Sequence, residues 1–146
     1  MILVDANILI HATTPSSPAH DLSRTWLDAQ LSAGDPVGLP WQSLLAFVRI
    51  KSNSRLVQFA APVAEVWALV EEWLDCPGVW IPGPTERHRA ILTRLMLGHP
   101  LSAHLVPDAH LAALAIEHGL LLCSSDGDFA RFGTAGLRWE NPILTT

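Results

Sequence analysis

Short runs of β-type residues alternate with longer amphipathic stretches along the chain. Strands are predicted at residues 2–4, 37–39, 79–81 and 120–123, with a weaker one at 137–139. Apolar residues recur near helical spacing at 19–33, 41–52, 63–74, 86–97 and 107–117, and another helix begins near Asn7. Thr85 is predicted to cap the helix at 86–97.

Alternating strands and helices favour parallel pairing through right-handed crossovers. We therefore expect one α/β domain over residues 1–146, a three-layer α/β/α sandwich with a short parallel sheet of four to five strands. Strands this short and apolar are expected to be buried on both faces. Ligands of such sheets bind beyond the carboxyl ends of the strands, so functional residues are expected there.

Four aspartates lie where this fold places its chemistry. Asp5 directly follows the first strand, Asp126 and Asp128 follow the strand at 120–123, and Asp108 opens the helix before that strand. If the two strands are neighbours, the four carboxylates converge at one sheet edge. Close carboxylates repel each other unless a cation lies among them. An acidic cluster without thiolates suits Mg²⁺, or alternatively Mn²⁺, and such ions can activate water against a phosphodiester.

Each aspartate also has a purely structural interpretation. Asp5 can cap the helix that begins near Asn7, and Asp108 in a first helical turn favours the helix dipole. Asp126 and Asp128 can belong to Asx turns. Independent caps have no reason to share one sheet edge, so the joint arrangement is what favours a metal site, and the pattern alone leaves both interpretations open.

Composition and charge narrow the class of protein. Hydrophobic residues make up 49% of the chain and charged residues only 16%. With no apolar run of bilayer-spanning length and no signal-peptide features at the start, we expect a cytoplasmic protein without a membrane partner. The net charge of −5 argues against a generally basic nucleic-acid-binding surface, but it is compatible with an acidic metal site. Cys76 and Cys123 are expected to be reduced.

Three segments resemble the acidic motifs of a known family. They are Val4-Asp5-Ala6-Asn7-Ile8-Leu9-Ile10, Pro107-Asp108-Ala109-His110-Leu111-Ala112-Ala113 and Ser124-Ser125-Asp126-Gly127-Asp128-Phe129. Their order and spacing are similar to those of PIN-domain ribonucleases. The ending Arg138-Trp139-Glu140-Asn141-Pro142 resembles that of mycobacterial VapC toxins, which belong to type II toxin–antitoxin systems. Each motif alone is weak, and the three together are specific.

The resemblance implies a magnesium-dependent endoribonuclease that acts on RNA such as tRNA or rRNA. It also implies a homodimer and a cognate VapB-type antitoxin that blocks the site. A groove on an apolar surface would suit a helix of that partner. By the family pattern the metal ligands are Asp5, Asp108 and Asp126, and the same three residues together with Asp128 form the catalytic set.

Other residues have supporting assignments under the same resemblance. Asn7 would position Asp5 by hydrogen bonding, and Ser125 would support the third motif. Arg49 can contact an RNA phosphate or form a solvent-facing ion pair. The same two interpretations apply to the two basic clusters of the chain, which are Arg49, Lys51 and Arg55, and Arg87, Arg89 and Arg94.

One position departs from the family pattern. Most PIN nucleases carry a Glu in the helix that corresponds to 41–52, and Ala46 occupies that position here. Glu86 is one candidate replacement, although it also suits a helix N-terminus. The amide oxygen of Gln42 is another. The departure leaves open whether one or two metal ions bind.

Three alternatives are weighed against RNA hydrolysis. A zinc site at His104, Asp108 and His110 is disfavoured, because helix positions six apart diverge by about 120°. A phosphatase of the haloacid dehalogenase type needs a second Asp where this chain has Asn7, and a lysine, for which only Lys51 is available. The third alternative, motivated by the missing Glu, is a module that binds RNA or an antitoxin without cutting.

Overall fold

The computed structural model describes residues 1–144, which form a five-stranded parallel sheet between two layers of helices; residues 145 and 146 of the expected domain lie outside this range. The strands lie in the order β3-β2-β1-β4-β5. They are β1 (Ile2–Val4), β2 (Val37–Gly38), β3 (Val79–Trp80), β4 (Leu121–Cys123) and β5 (Arg138–Glu140). The α-helices are α1 (Ala6–Ala12), α2 (His20–Ser32), α3 (Trp41–Lys51), α4 (Val63–Leu74), α5 (His88–Gly98) and α6 (Val106–His118).

The predicted three-layer α/β/α architecture is confirmed. Every predicted strand and helix is present, and the bounds differ from the predicted ones by at most two residues. Two 3-10 helices, Ala103–Leu105 and Gly127–Ala135, were not predicted, because short irregular turns lack the repeated apolar spacing that marks an α-helix.

Side chains of the central strand β1 alternate between the two helical layers. Leu3 packs with Leu122 in the core formed with α5 and α6, whereas Val4 packs on the opposite face with α1 to α4. Strand β5 lies at the sheet edge, where Arg138 and Glu140 are exposed. The expectation of burial on both faces is therefore wrong for β5, because Arg138 and Glu140 are two residues apart and share a face of the strand that no helix covers among the described residues.

Helix α6 carries Asp108 in its first turn and returns the chain to β4. Residues 111–115 are all buried, and three of these five are alanines, so the helix backbone can pack closely against its neighbours. Gly119 ends the helix with a φ of 65°, a left-handed conformation that glycine adopts without steric cost. The amide of Leu120 then donates to the Ala115 carbonyl at 2.8 Å. The two ends of α6 therefore lie at opposite ends of the sheet.

The start of α5 differs from the prediction. The helix begins at His88 with Arg87 as its N-cap, so Thr85 does not cap it. The Thr85 hydroxyl instead accepts from the Arg87 amide at 3.2 Å, and the Thr85 amide donates to Glu117 Oε1 at 2.6 Å. The turn before α5 is held in this way because the buried Glu117 carboxylate needs donors.

None of the helices within residues 1–144 is both long and apolar enough to cross a membrane. Cys76 and Cys123 are free thiols. Burial, together with the negative charge of Glu140, raises the pKa of Cys123 to about 12, so this thiol is inert at neutral pH.

Candidate metal and active site

Neighbouring strands β1 and β4 place the first and third acidic motifs side by side. Val4 pairs with Cys123 in parallel register, and the Asp5 amide donates to the Cys123 carbonyl at 3.0 Å. Asp5 and Ser124 are thus the first residues beyond the carboxyl ends of two adjacent strands. This is the sheet edge at which the sequence predicts the site.

Asp5 is held by three hydrogen bonds. Its Oδ1 accepts from the Ala6 amide at 2.7 Å, which also makes Asp5 the N-cap of α1. Its Oδ2 accepts from the Ser124 hydroxyl at 2.7 Å and from Asn7 Nδ2 at 3.3 Å. Burial raises the pKa of Asp5 above its ordinary value and the charge of Asp126 adds to the rise, while the bonds from Ser124 and Ala6 oppose it. Asp5 can therefore cap α1 and also take part in a metal site, so the two interpretations do not exclude each other.

Ser124 and Asn7 connect the first motif to the third. Asn7 Nδ2 donates to Ser124 Oγ at 3.0 Å, and Asn7 Oδ1 accepts from the Ser125 amide at 3.2 Å. Ser124 Oγ also accepts from the Asp126 amide at 3.1 Å. Ser125 thus contributes its backbone, and the connecting hydroxyl belongs to Ser124, which the sequence analysis did not single out. The signal was its position, since Ser124 follows β4 as Asp5 follows β1.

Asp126 and Asp128 lie at the start of the 3-10 helix Gly127–Ala135. Asp126 Oδ1 accepts from the Asp128 amide at 2.9 Å, which is the Asx turn weighed from the sequence. Asp128 Oδ1 lies 3.4 Å from Arg131 Nη2. Capping uses one oxygen of Asp126, and its second carboxylate oxygen has no hydrogen-bond partner among residues 1–144.

Asp108 joins these carboxylates from the first turn of α6. Its pKa is raised to about 6, first by burial and then by the negative charges of Asp126, Asp5 and Asp128, while the nearby His104 acts in the opposite direction. The structure therefore brings all four predicted aspartates within electrostatic range of one another. Hard oxygen donors that repel one another are the donor chemistry that a small divalent cation prefers.

The carboxylates do not form a closed ligand cage. Within residues 1–144, no three histidine, cysteine, aspartate or glutamate side chains are grouped tightly enough to hold a metal ion. The same finding argues against the zinc site weighed at His104, Asp108 and His110. His110 Nδ1 instead lies 3.0 Å from His88 Nε2, and the other nitrogen of His88 faces Glu117.

The two candidate replacements for the missing Glu lie in different places. Glu86 is exposed and follows Thr85, which is bonded to Glu117 near the end of α6, whereas Asp108 lies at the start of that helix. The structure therefore does not bring Glu86 to the acidic cluster. Gln42 Nε2 donates to the carbonyl of Pro107 at 2.8 Å, next to Asp108.

Gln42 also carries an unpaired acceptor. Its Oε1 is buried and has no hydrogen-bond partner among the described residues. Gln42 precedes Ala46 by one helical turn, so the two positions share a face of α3. An amide oxygen thus lies one turn from the position where the family pattern expects a carboxylate.

Lys51 has a structural role. Its side chain is buried, and Nζ donates to the Thr13 carbonyl at 3.1 Å and to Thr14 Oγ1 at 2.9 Å, at the end of α1 that is remote from Asp5. This geometry does not support the phosphatase alternative, which needs the lysine beside the nucleophilic Asp. Arg49 is exposed on α3, and no contact with the acidic cluster is formed within residues 1–144.

The fold and the aspartates together define an α/β domain with an acidic, oxygen-rich site at the carboxyl edge of a parallel sheet. A family model described as the PIN domain matches residues 2–135, and the chain belongs to this family. Ribonuclease VapC37 from Mycobacterium tuberculosis is 43% identical over 142 residues, which cover 97% of this chain and 97% of that protein. Ribonuclease VapC31 from the same organism is 38% identical over 144 residues, or 99% of this chain and 100% of that protein.

Solved structures of low sequence identity share the fold. The VapBC2 complex from Rickettsia felis, bound to a promoter DNA fragment, matches with a TM-score of 0.66 and 15% identity over 97% of this chain and 98% of that chain. FitAcB from Neisseria gonorrhoeae matches with a TM-score of 0.63 and 19% identity over 99% of this chain and 100% of that chain.

Proposed function

We propose that the protein is the toxin of a type II toxin–antitoxin system and a Mg²⁺-dependent endoribonuclease, with Mn²⁺ able to replace Mg²⁺. The observation that carries this proposal is the pairing of Val4 with Cys123, which places Asp5 beside the segment that carries Asp126 at the carboxyl edge of the sheet. Asp108 joins them there, where burial and then the charges of the three other aspartates raise its pKa to about 6. A bound divalent cation would remove that repulsion. The names of the M. tuberculosis relatives favour RNA as the substrate.

In this proposal Asp5, Asp108 and Asp126 hold the ion, and Asp128 completes the catalytic set. When bound, Mg²⁺ supplies Lewis-acid stabilisation for the charge that develops on the scissile phosphate. Ser124 and Asn7 keep the Asp5 carboxylate in one orientation through their hydrogen bonds. Hydrolysis adds the oxygen of water to phosphorus and breaks one P–O bond to a ribose. Arg49, exposed on α3 one turn beyond Leu45, is the proposed contact to a phosphate further along the RNA strand, where it would lie at the margin of the dimer surface proposed below.

The Gln42 amide oxygen is the proposed replacement for the carboxylate missing at Ala46. Its buried and unpaired Oε1 supports this assignment, because such an atom normally has a partner. A neutral amide oxygen binds a divalent cation more weakly than a carboxylate does. We therefore expect one tightly bound ion at the aspartates and a weak second one.

Two protein partners are proposed. A cavity of about 630 Å³ between the end of α1, the 57–61 segment and α4 is the proposed groove for a helix of a VapB-type antitoxin; Phe59, which is 74% exposed, lines it. This groove lies at the end of α1 remote from Asp5, so a helix bound there does not by itself cover the aspartates. The homodimer is proposed to form through the apolar side chains Trp41, Leu45 and Val106. Trp41 and Leu45 are 46% and 55% exposed and lie one turn apart on α3, and Val106 is two residues from Asp108.

The test is cleavage of a panel of structured RNAs, including tRNA and rRNA, by wild-type protein, Asp5→Asn and Asp28→Asn. Asp28 is exposed on α2, so Asp28→Asn removes the same charge at a position away from the site. We expect wild type and Asp28→Asn to cut in Mg²⁺ and not in EDTA, and Asp5→Asn to be at least about 100-fold slower, since a metal contributes several kcal/mol. Cleavage by Asp5→Asn at the wild-type rate, or none by wild type, contradicts the proposal.

The missing Glu favours one other function, that of a module that binds RNA without cutting it. The same panel distinguishes the two. RNA binding by wild type without cleavage in either Mg²⁺ or Mn²⁺ would support the binding module.

A further inference from the structure

A second cavity lies on the flank of the molecule, away from the proposed antitoxin groove. It has a volume of about 260 Å³ and is enclosed by the last turn of α5, the segment that follows it, and the 3-10 helix Gly127–Ala135. Cavities that hold drug-sized ligands start at about 300 Å³, so this one suits a ligand at or below the small end of that range. Its lining combines cationic and apolar side chains, among them Arg94, Leu95, His99, Leu101, Arg131 and Phe132.

Arg94 and Arg131 are held at the rim by their own hydrogen bonds. Arg94 Nη2 donates to the Ala135 carbonyl at 3.0 Å, and Arg131 Nε donates to the Asp128 carbonyl at 3.1 Å. A guanidinium has five N–H donors, and within residues 1–144 Arg94 uses one of them and Arg131 uses two, the second toward Asp128 Oδ1. Two positioned arginines therefore face the same small cavity, and phosphate is a ligand that arginine binds in two-pronged geometry.

Arg94 and Arg131 line one cavity in a chain whose net charge is −5, whereas other basic residues are bonded elsewhere. Lys51 is buried and bonded to the end of α1, Arg87 donates to the Glu117 carbonyl, and Arg138 donates to the Gly119 carbonyl at 2.8 Å. The predicted cluster of Arg87, Arg89 and Arg94 is thus divided by the structure. Of these three residues, only Arg94 lines the cavity.

The cavity is connected to the acidic cluster through Asp128. Arg131 Nη2 lies 3.4 Å from Asp128 Oδ1, and the charge of Asp128 contributes to the raised pKa of Asp108. The four carboxylates repel the phosphates of a substrate strand, apart from the phosphate that a bound cation contacts. A cationic cavity beside Asp128 offsets this repulsion for the part of the strand that extends beyond the site.

We propose that this cavity binds one nucleotide of single-stranded RNA next to the scissile phosphate. Arg94 and Arg131 contact its phosphate, and its base packs on the apolar side chains of Leu101 and Phe132. This inference rests on the proposed function in taking RNA as the substrate. It goes further in assigning a separate binding site, which makes cleavage depend on an unpaired nucleotide at a fixed distance from the cut.

The experiment measures binding of a short single-stranded RNA oligonucleotide to Asp5→Asn protein, so that the result does not depend on cleavage. Dissociation constants are measured over a range of salt concentrations for this background alone and with Arg94→Gln, Arg94→Lys or Arg89→Gln added. Arg89 is exposed on the same helix and does not line the cavity. Arg89→Gln is therefore the matched control, because it removes one positive charge outside the cavity.

We expect Arg94→Gln to weaken binding roughly tenfold and to lower the slope of log Kd against log salt by about 0.7, the value for one phosphate contact on a single strand. Arg94→Lys should retain the slope, and Arg89→Gln should change neither quantity. In amide NMR spectra, the oligonucleotide should shift signals of Gly98, His99, Leu101 and residues 131–135. This readout needs no substitution in the cavity.

The outcomes separate the two proposals. Equal slopes for Arg94→Gln and Arg89→Gln, NMR shifts confined to other surfaces, or no measurable RNA binding would each overturn the cavity assignment. If wild type cuts none of the RNAs but the Arg94 effects are observed, the cavity assignment stands and the nuclease proposal fails.

Discussion

The Ser124 hydroxyl donates a 2.7 Å hydrogen bond to Asp5 Oδ2 across the ends of two neighbouring parallel strands. These residues are 119 positions apart in the chain. The same hydroxyl accepts from Asn7 Nδ2 and from the Asp126 amide. One buried oxygen therefore fixes the relative positions of the first and third acidic motifs.

Ser124→Ala should loosen this junction. It removes the donor to Asp5 and leaves two donors without their acceptor, so we expect a loss of about 1–3 kcal/mol in unfolding free energy. Mg²⁺ affinity should fall about 10- to 100-fold, as for other groups that orient metal ligands. Denaturant unfolding and calorimetric titration measure the two effects. Ser125→Ala is the control, since Ser125 enters the network through its amide, and an equal effect of both substitutions would contradict this role for Ser124.

Asp108→Asn should stabilise the metal-free protein at neutral pH. The folded-state pKa of Asp108 is raised from 3.8 to about 6, so the folded state binds its proton more tightly than the unfolded state does. This carboxylate therefore costs stability above about pH 6, and that cost disappears as the pH falls towards 3.8. Thermal melts in EDTA between these limits should show the full dependence in wild type and in Asp28→Asn, and a weaker one in Asp108→Asn, where the raised pKa of Asp5 remains. A variant that melts below wild type at pH 8 would contradict the argument.

Gln42→Leu and Ala46→Glu test the replacement ligand. Removing the amide oxygen should weaken binding of the second metal ion about tenfold, whereas adding the carboxylate at Ala46 should strengthen it and raise the cleavage rate. Titration with Mn²⁺ measures both affinities. Gln42→Glu is a further control, because it keeps the oxygen and adds charge. If Ala46→Glu leaves metal affinity unchanged, position 46 does not face the acidic cluster.

Leu45→Glu should disrupt the proposed homodimer. Leu45 is 55% exposed beside Trp41, and a buried carboxylate without a partner at a dimer interface is unfavourable. Light scattering after size exclusion should show a dimer for wild type and a monomer for the variant. Leu22→Glu, at a 46% exposed site on α2, should remain dimeric. A wild-type monomer at micromolar concentration would contradict the proposed interface.

The order of helices and strands could be predicted because apolar spacing repeats over several turns of each helix. The placement of Asp5, Asp108 and Asp126 at one edge also followed from pattern, since it needs only that β1 and β4 be neighbours. The position of Ser124 directly after β4 was a signal for its place at the site, but its hydrogen bond to Asp5 and the displacement of Glu86 could not be predicted in this way. Both depend on tertiary contacts, the Val4–Cys123 register in one case and the bond between Thr85 and Glu117 in the other.

A single diffraction experiment tests the metal site most directly. Crystals soaked in Mn²⁺ are measured at the manganese absorption edge, and the anomalous map shows where the ion binds. The account predicts a strong peak among Asp5, Asp108 and Asp126, with ligand distances close to those of Mg²⁺, about 2.0–2.1 Å. The peak should disappear in Asp108→Asn crystals. A peak elsewhere, or none at saturating Mn²⁺, would contradict the assignment of these aspartates as metal ligands.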